Sequence, residues 1–169
     1  MPRLAIVNCC AVVTALLAGK SFAQSEVRFS HGGHDNSSPI EILSDGVEFD
    51  NETGFVNFLG DVEAVQDELT ITSSELHANY GPQDEDTTSR TVKIVEALGN
   101  VVITRGLDRA ESDRAIYVIE NAEITMIGNV LVTQPAGTVR GSQMTLDLNS
   151  GVGVFAGRVR ATFYPATNE

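Results

Sequence analysis

The sequence predicts an all-β domain built from a repeated unit of about 29 residues. Gly99, Gly128 and Gly157 each open a related six-residue run, and they follow one another at intervals of 29 residues. A fourth copy begins at Gly60, 39 residues before Gly99, and residues 81–90 account for the extra ten as a polar surface loop. A fixed period of this length indicates a supersecondary unit that stacks on copies of itself.

A second landmark recurs in phase with the glycines. Residues 42–45, 71–74, 110–113 and 139–142 occupy equivalent positions, and each stretch opens a run with an apolar residue at every second position. A further alternating run then leads back into the next glycine. This period of two, the β-branched residues and the Gly, Asn and Asp punctuation indicate strands, and no helical stripe appears beyond the N-terminal segment.

One face of these strands is predicted to be apolar. The residues two and four after each glycine are always apolar, and the interleaved positions are mostly polar; the apolar positions are Val62, Ala64, Val101, Ile103, Val130, Val132, Val159 and Ala161. A sheet with one dry face is typical of a sandwich or a closed barrel. The apolar face must be shielded from water, either by the facing sheet, as in an ordinary closed core, or by an apolar ligand.

The N-terminal segment resembles a secretory signal. Residues 1–23 combine a short basic start, an apolar run and a small-x-small pattern that predicts cleavage after Ala23. Both cysteines, Cys9 and Cys10, lie in this segment, so the mature chain has no disulfide. We expect export to the periplasm, with an uncleaved membrane anchor as the alternative.

The remaining chain divides into three parts. We expect a flexible leader at residues 24–38, one β domain at 39–165 and a polar tail at 166–169. Residues 24–89 carry a net charge of −14, whereas residues 90–169 are neutral overall. Nucleic acid is therefore an improbable partner, because its binding depends on basic residues. The acidic half is either a solvated face or one pole of the molecule.

Motifs for catalysis and for metal binding are missing. The sequence has no nucleophile elbow, no phosphate-binding glycine loop and no zinc-binding HExxH helix. His31 and His34 stand close together, but too few other ligands accompany them for a closed metal site. We expect no catalytic residue, no cofactor and no metal, and hence no enzyme.

Several stretches carry a family resemblance. Residues 39–45 (Pro-Ile-Glu-Ile-Leu-Ser-Asp) and 55–62 open the domain, and residues 127–130 and 140–144 continue the pattern. This series resembles the OstA-like (LptA) family of periplasmic lipopolysaccharide-transport proteins over about residues 39–163. The resemblance implies a single, slightly twisted antiparallel β-jellyroll that is open at both ends.

The same resemblance implies a function and partners. Family members shield the acyl chains of lipopolysaccharide, those of lipid A, in their apolar interior. They stack head to tail, as homo-oligomers and with inner-membrane-anchored and outer-membrane jellyroll partners, and so bridge the export machine. On this chain the acidic first half would meet Arg158 and Arg160 of the next copy. Two alternatives are a membrane-anchored jellyroll subunit of the same machine and a secreted structural β-repeat protein with a closed core.

The candidate lipid-binding residues share an inward, apolar position. The resemblance implies Ile40 and Ile42 at the entrance and Tyr117 and Ile119 on a middle strand, and the periodicity also places the latter pair inside. The full set is Ile40, Ile42, Val56, Phe58, Val62, Ile71, Leu76, Val101, Ile103, Tyr117, Ile119, Met126, Val130, Val132, Met144, Leu146 and Phe155.

Overall fold

The computed structural model describes residues 25–29, 33–50, 53–80 and 91–165. The predicted signal segment 1–23, the predicted loop 81–90 and the tail 166–169 lie outside the described residues. In the part of the chain that is described, no helix combines the length and the apolar character that a membrane crossing demands.

Eleven strands run through the described residues and form one antiparallel sheet, which confirms the predicted all-β jellyroll fold. In chain order they are β1 (Ser25–Arg28), β2 (Glu41–Leu43), β3 (Gly46–Asp50), β4 (Phe55–Gln66), β5 (Leu69–Asn79), β6 (Ile94–Arg105), β7 (Asp108–Val118), β8 (Glu123–Gln134), β9 (Gly137–Asp147), β10 (Val152–Ala156) and β11 (Arg160–Phe163). The order across the sheet is β1-β10-β9-β8-β7-β6-β5-β4-β2, with β3 beside β4 and β11 beside β9. Strands that are consecutive between β4 and β10 are therefore also neighbours in space.

At each edge of the sheet two short strands share one long neighbour. β2 pairs with the half of β4 that ends at Gln66, and β3 pairs with the other half. At the opposite edge β10 and β11 pair with the two halves of β9, and β1 pairs with β10. The two breaks fall at Asp45 and Gly157, which belong to the landmarks of the repeat.

A line of glycines bends the long strands in the middle. Gly60, Gly99 and Gly128 have φ angles of +74°, +72° and +80°, and the Asp or Asn that follows each also has a positive φ. The pairing register shifts at each of these points, as in a β-bulge. The sequence landmarks therefore mark bends inside twelve-residue strands and not the starts of separate strands.

The bends fold the sheet over on itself. We call the strand ends at Gln66, Arg105 and Gln134 the first rim, and those at Val118 and Asp147 the second rim. Twelve extended residues would separate the rims by about 40 Å. Instead the rims touch, since the Tyr117 hydroxyl donates a 2.9 Å hydrogen bond to Oε1 of Gln66. The line of contact between the two rims is named the seam.

Part of the predicted flexible leader, residues 24–38, is ordered in the structure. Ser25–Arg28 forms β1, and Val27 and Phe29 are buried in the core. His34 is also buried, although its neighbours are polar. The physical reason is that the folded sheet leaves unpaired hydrogen-bonding groups along its seam and beside β10, and this segment satisfies them.

Candidate functional site

The inward face of the folded sheet forms one continuous apolar interior. Each long strand contributes alternate residues, because side chains of a strand point to opposite faces in turn. β6, for example, buries Val95, Ala97, Val101 and Ile103 and keeps the intervening side chains half-buried or exposed. The bend at Gly99 preserves this alternation, so both halves of the strand face the same interior.

The structure brings together the residues that the sequence predicted to lie inside. Thirteen of the seventeen candidates are buried, and the other four (Ile40, Ile42, Phe58 and Ile119) are partly buried and pack against the same core. Leu76, Ile103, Met126, Met144 and Phe155 are 0% exposed. All seventeen are therefore wholly or partly shielded from water, and sixteen of them belong to one core or pack against it, while Val56 is buried outside that cluster.

Some interior residues were not among the candidates. Leu69, Val95 and Ile124 are buried on the same alternating phase, which the periodicity alone would have indicated. Ala78, Ala97, Ala110 and Ala115 are also buried and keep the interior wall thin. Val27 and Phe29 come from the leader, where no alternating pattern marks them.

Tyr117 differs from the other interior residues because its hydroxyl lies at the seam. It donates to Oε1 of Gln66 at 2.9 Å, and it lies 3.0 Å from Nε2 of His34. His34 Nε2 is also 3.2 Å from the same Gln66 oxygen. Burial raises the pKa of the Tyr117 hydroxyl to about 12, so this hydroxyl remains a hydrogen-bond donor throughout the physiological range.

Arg105 provides a second buried polar group at the seam. Its side chain is 2% exposed, and Nη1 donates a 2.8 Å hydrogen bond to the carbonyl oxygen of Leu148, beyond the second rim. Nη2 donates to the carbonyl oxygen of Gly33 at 3.2 Å. The two bonds of this buried guanidinium to backbone carbonyl groups give it a structural role at the seam.

The charges on the outer surface differ between the two edges of the sheet, as the uneven charge distribution of the sequence predicts. Glu41 and Glu48 are exposed on the edge formed by β2 and β3. At the other edge Arg140 and Arg160 stand opposite each other in the β9–β11 pairing, and Arg158 lines the same surface groove. Like charges at paired positions repel, so this arginine cluster favours an acidic partner.

No group of three or more potential metal ligands occurs in the described residues. Of the two histidines that stand close together in the sequence, His31 lies outside the described residues, and His34 contacts Gln66 and Tyr117 at the seam.

Comparison with known proteins decides the family. The family model described as LptA/(LptD N-terminal domain) LPS transport protein matches residues 41–152, which is more than half of the chain. The chain belongs to this family. The family is one of transport proteins, so the resemblance identified from the sequence motifs is confirmed.

A solved structure shows the same fold. The crystal structure of LptH from Pseudomonas aeruginosa, described as the LptA homologous periplasmic component of the conserved lipopolysaccharide transport device, matches with a TM-score of 0.66. The match covers 78% of this chain and 99% of LptH at 19% sequence identity. No curated protein matches the sequence significantly.

Proposed function

We propose that this LPS transport protein works in the periplasm and holds the acyl chains of lipopolysaccharide in the interior of the folded sheet. The main supporting observation is the inward stripe, in which most alternate residues of the six long strands, β4 to β9, are apolar and shielded from water. Membership of an LPS transport family supports this cargo, and the LptH match supports the compartment. The seventeen candidate residues are the proposed lipid contacts.

The mechanism is passive. Each methylene group of an acyl chain that leaves water for an apolar interior contributes roughly 0.8 kcal/mol. A lipid with several chains therefore cannot cross water alone at a useful rate, but it exchanges readily between matched apolar interiors. The sequence contains no phosphate-binding loop, so the energy for directional movement comes from partners.

The two sheet edges are the proposed docking surfaces for bridging. An exposed edge strand presents unpaired N–H and C=O groups to another strand, which is the basis of β-augmentation. Leu43 and Phe49 on one edge and Phe163 on the other are 70%, 69% and 75% exposed, and so offer apolar contacts. Together with the acidic and arginine-bearing charges, these edges fit a head-to-tail stack of copies and of jellyroll partners in the inner and outer membranes.

A competition assay tests the cargo proposal directly. Purified protein is titrated with fluorescent lipopolysaccharide in the presence of either unlabelled lipopolysaccharide or its fully deacylated form. We expect only the acylated form to compete, because the interior recognises acyl chains and not sugars. Equal competition by the deacylated form would instead assign recognition to the head group and overturn the acyl-chain proposal.

Export is tested separately by the N-terminus of the protein recovered from cells. A protein that begins at Gln24 supports cleavage of residues 1–23 and release into the periplasm. A protein that retains residues 1–23 supports the membrane-anchored alternative in the same machine.

A further inference from the structure

A short segment ahead of β2 lies along the seam and contacts both rims. Residues 33–38, named the strap, bind the second rim through Gly33 N–H, which donates to the carbonyl oxygen of Asn149 at 2.9 Å. Asn36 Nδ2 donates to the carbonyl oxygen of Ile119 at 2.9 Å. On the other side of the strap, Gln66 and Arg105 of the first rim donate to strap carbonyl groups. The strap therefore joins the two rims.

The first-rim donors occupy equivalent positions of the repeat. Gln66, Arg105 and Gln134 each end a long strand, six residues after its bend glycine, and each points a polar side chain where the alternation would place an apolar one. Their side chains donate to backbone carbonyl oxygens of the N-terminal segment: Gln66 to Asn36 (3.2 Å) and Ser38 (2.8 Å), Arg105 to Gly33 (3.2 Å), and Gln134 to Arg28 (2.6 Å). The repeat thus supplies a row of donors that follows the seam.

The closed seam retains two unsatisfied polar atoms. In the described part of the chain, His34 Nδ1 and Arg105 Nε are the buried side-chain nitrogens without a hydrogen-bond partner, and both lie at the seam. The Asp67 carboxylate is 3.8 Å from His34 Nδ1, which is beyond hydrogen-bond distance. A buried polar atom without a partner is destabilising, so closure at this line is less favourable than elsewhere in the wall.

The other walls of the interior are held by backbone ladders that run along both halves of each long strand. β8 and β9, for example, pair at ten positions, and β6 and β7 also pair at ten. Separating two such strands would break a whole ladder, whereas separating the rims breaks the Tyr117–Gln66 and Arg105–Leu148 bonds between them and a few bonds to the strap. Because the interior is filled by its own side chains, an acyl chain requires the interior to widen, and the seam is the weakest line along which it can do so.

We infer that the seam is the entry site for lipid acyl chains and that the strap is its cover, held by Gln66 and Arg105 and displaced when acyl chains occupy the interior. This inference rests on the proposed function. In this view the bend glycines act as the hinge opposite the seam, and the first-rim donors set how tightly the cover is held.

A crosslink across the seam tests the inference. Asp67 lies beside Asp35 of the strap, and the carbonyl of Glu120 lies beside Asn36, so exposed residues on the two rims flank the strap. Glu68→Cys and Glu120→Cys, in the mature chain from residue 24, are joined by a short, thiol-cleavable bismaleimide. The matched control is Thr125→Cys with Thr145→Cys, a paired position of β8 and β9 that does not span the seam.

The expected result is at least a tenfold loss of lipopolysaccharide binding in the crosslinked seam variant, with recovery after the crosslink is cleaved. The control pair should bind equally in both states. Equal binding by the crosslinked and cleaved seam variant would overturn the entry site while leaving the proposed cargo intact. A wild-type protein that binds no lipopolysaccharide would instead remove the proposed function, and this inference with it.

A second variant tests the strap without a crosslink. Asn36→Ala removes the bonds from Asn36 Nδ2 to the carbonyl oxygens of Ile119 and Glu120 on the second rim and leaves the apolar interior unchanged, so it should raise the rate of lipid uptake several-fold. Ser37→Ala is the control, because among the described residues the Ser37 hydroxyl donates to Asp35, within the strap. An Asn36→Ala rate equal to that of wild type would contradict the role of the strap as a cover.

Discussion

Gly128 on β8 lies so close to Asp113 on β7 that a Cβ atom at Gly128 would meet the Asp113 carboxylate and its Cβ within 3.0 Å. The neighbouring Asn129 Nδ2 donates to the same carboxylate at 2.9 Å. Gly60 and Asp45 repeat this relationship at the sheet edge, and Gly99 and Ser74 repeat it with a smaller side chain. The two landmarks that recur along the sequence are therefore the two sides of one contact at the bend.

Replacing Gly128 by alanine should destabilise the protein by about 2–5 kcal/mol. The positive φ of +80° costs a residue with a Cβ about 1–2 kcal/mol, and the overlap with Asp113 adds about 1–3 kcal/mol. Urea unfolding followed by circular dichroism measures the change.

Gly157 provides the matched control, since it occupies the same repeat position and has a φ of +86°, but a Cβ there would meet only the Ser142 hydroxyl at an ordinary 3.9 Å. Gly157→Ala should therefore lower the free energy of unfolding only by the cost of the positive φ, about 1–2 kcal/mol. Equal losses at the two glycines would show that the contact with Asp113 is not what requires glycine.

Stability should fall at high pH because of Tyr117. Its pKa is raised by burial to about 12, against 10.0 in the unfolded chain, so below pH 10 the hydroxyl is protonated in both states. Between pH 10 and 12 only the unfolded state loses the proton, which lowers the free energy of unfolding by at most about 1.4 kcal/mol per pH unit.

The Tyr117→Phe variant isolates this effect. Its loss of stability between pH 8 and pH 11 should be smaller than that of wild type, although it starts from a lower value at pH 8 because the bond to Gln66 is gone. Equal losses of stability between pH 8 and pH 11 in the two proteins would contradict the assignment of this loss to Tyr117.

Much of the fold follows from the sequence because the sheet is a repeat. The alternation of Val101 and Ile103, for example, fixes which face of β6 is inward, and a slip of one residue would expose both. The bends were not predicted, since a glycine followed by Asn or Asp is equally typical of a turn between strands. The place of His34 was also not predicted, because its partners Gln66 and Tyr117 are 32 and 83 residues away in the sequence.

Self-association should depend on the arginine cluster. If copies stack by the proposed edge contacts, Arg160→Glu should weaken their association about tenfold at low salt, since it would replace the attraction to the acidic edge of the next copy by repulsion. Raising the salt concentration should weaken wild-type association in the same direction. Sedimentation equilibrium measures both.

Arg109→Glu is the charge-matched control, because Arg109 lies on β7 in the middle of the sheet and pairs with Glu111 at 2.9 Å. It should leave association nearly unchanged. Association of wild-type protein that does not respond to salt would contradict charge complementarity between the two edges.

The most direct test of the central claim is photocrosslinking in cells from an inward position and its outward neighbour. A diazirine amino acid of methionine size replaces Met126, which is fully buried, or Thr125, which lies next to it on the outer face of β8. We expect a lipopolysaccharide adduct from position 126 and none from position 125. Exported, folded protein that gives no adduct at position 126, or equal adducts at both, would contradict an interior that carries acyl chains.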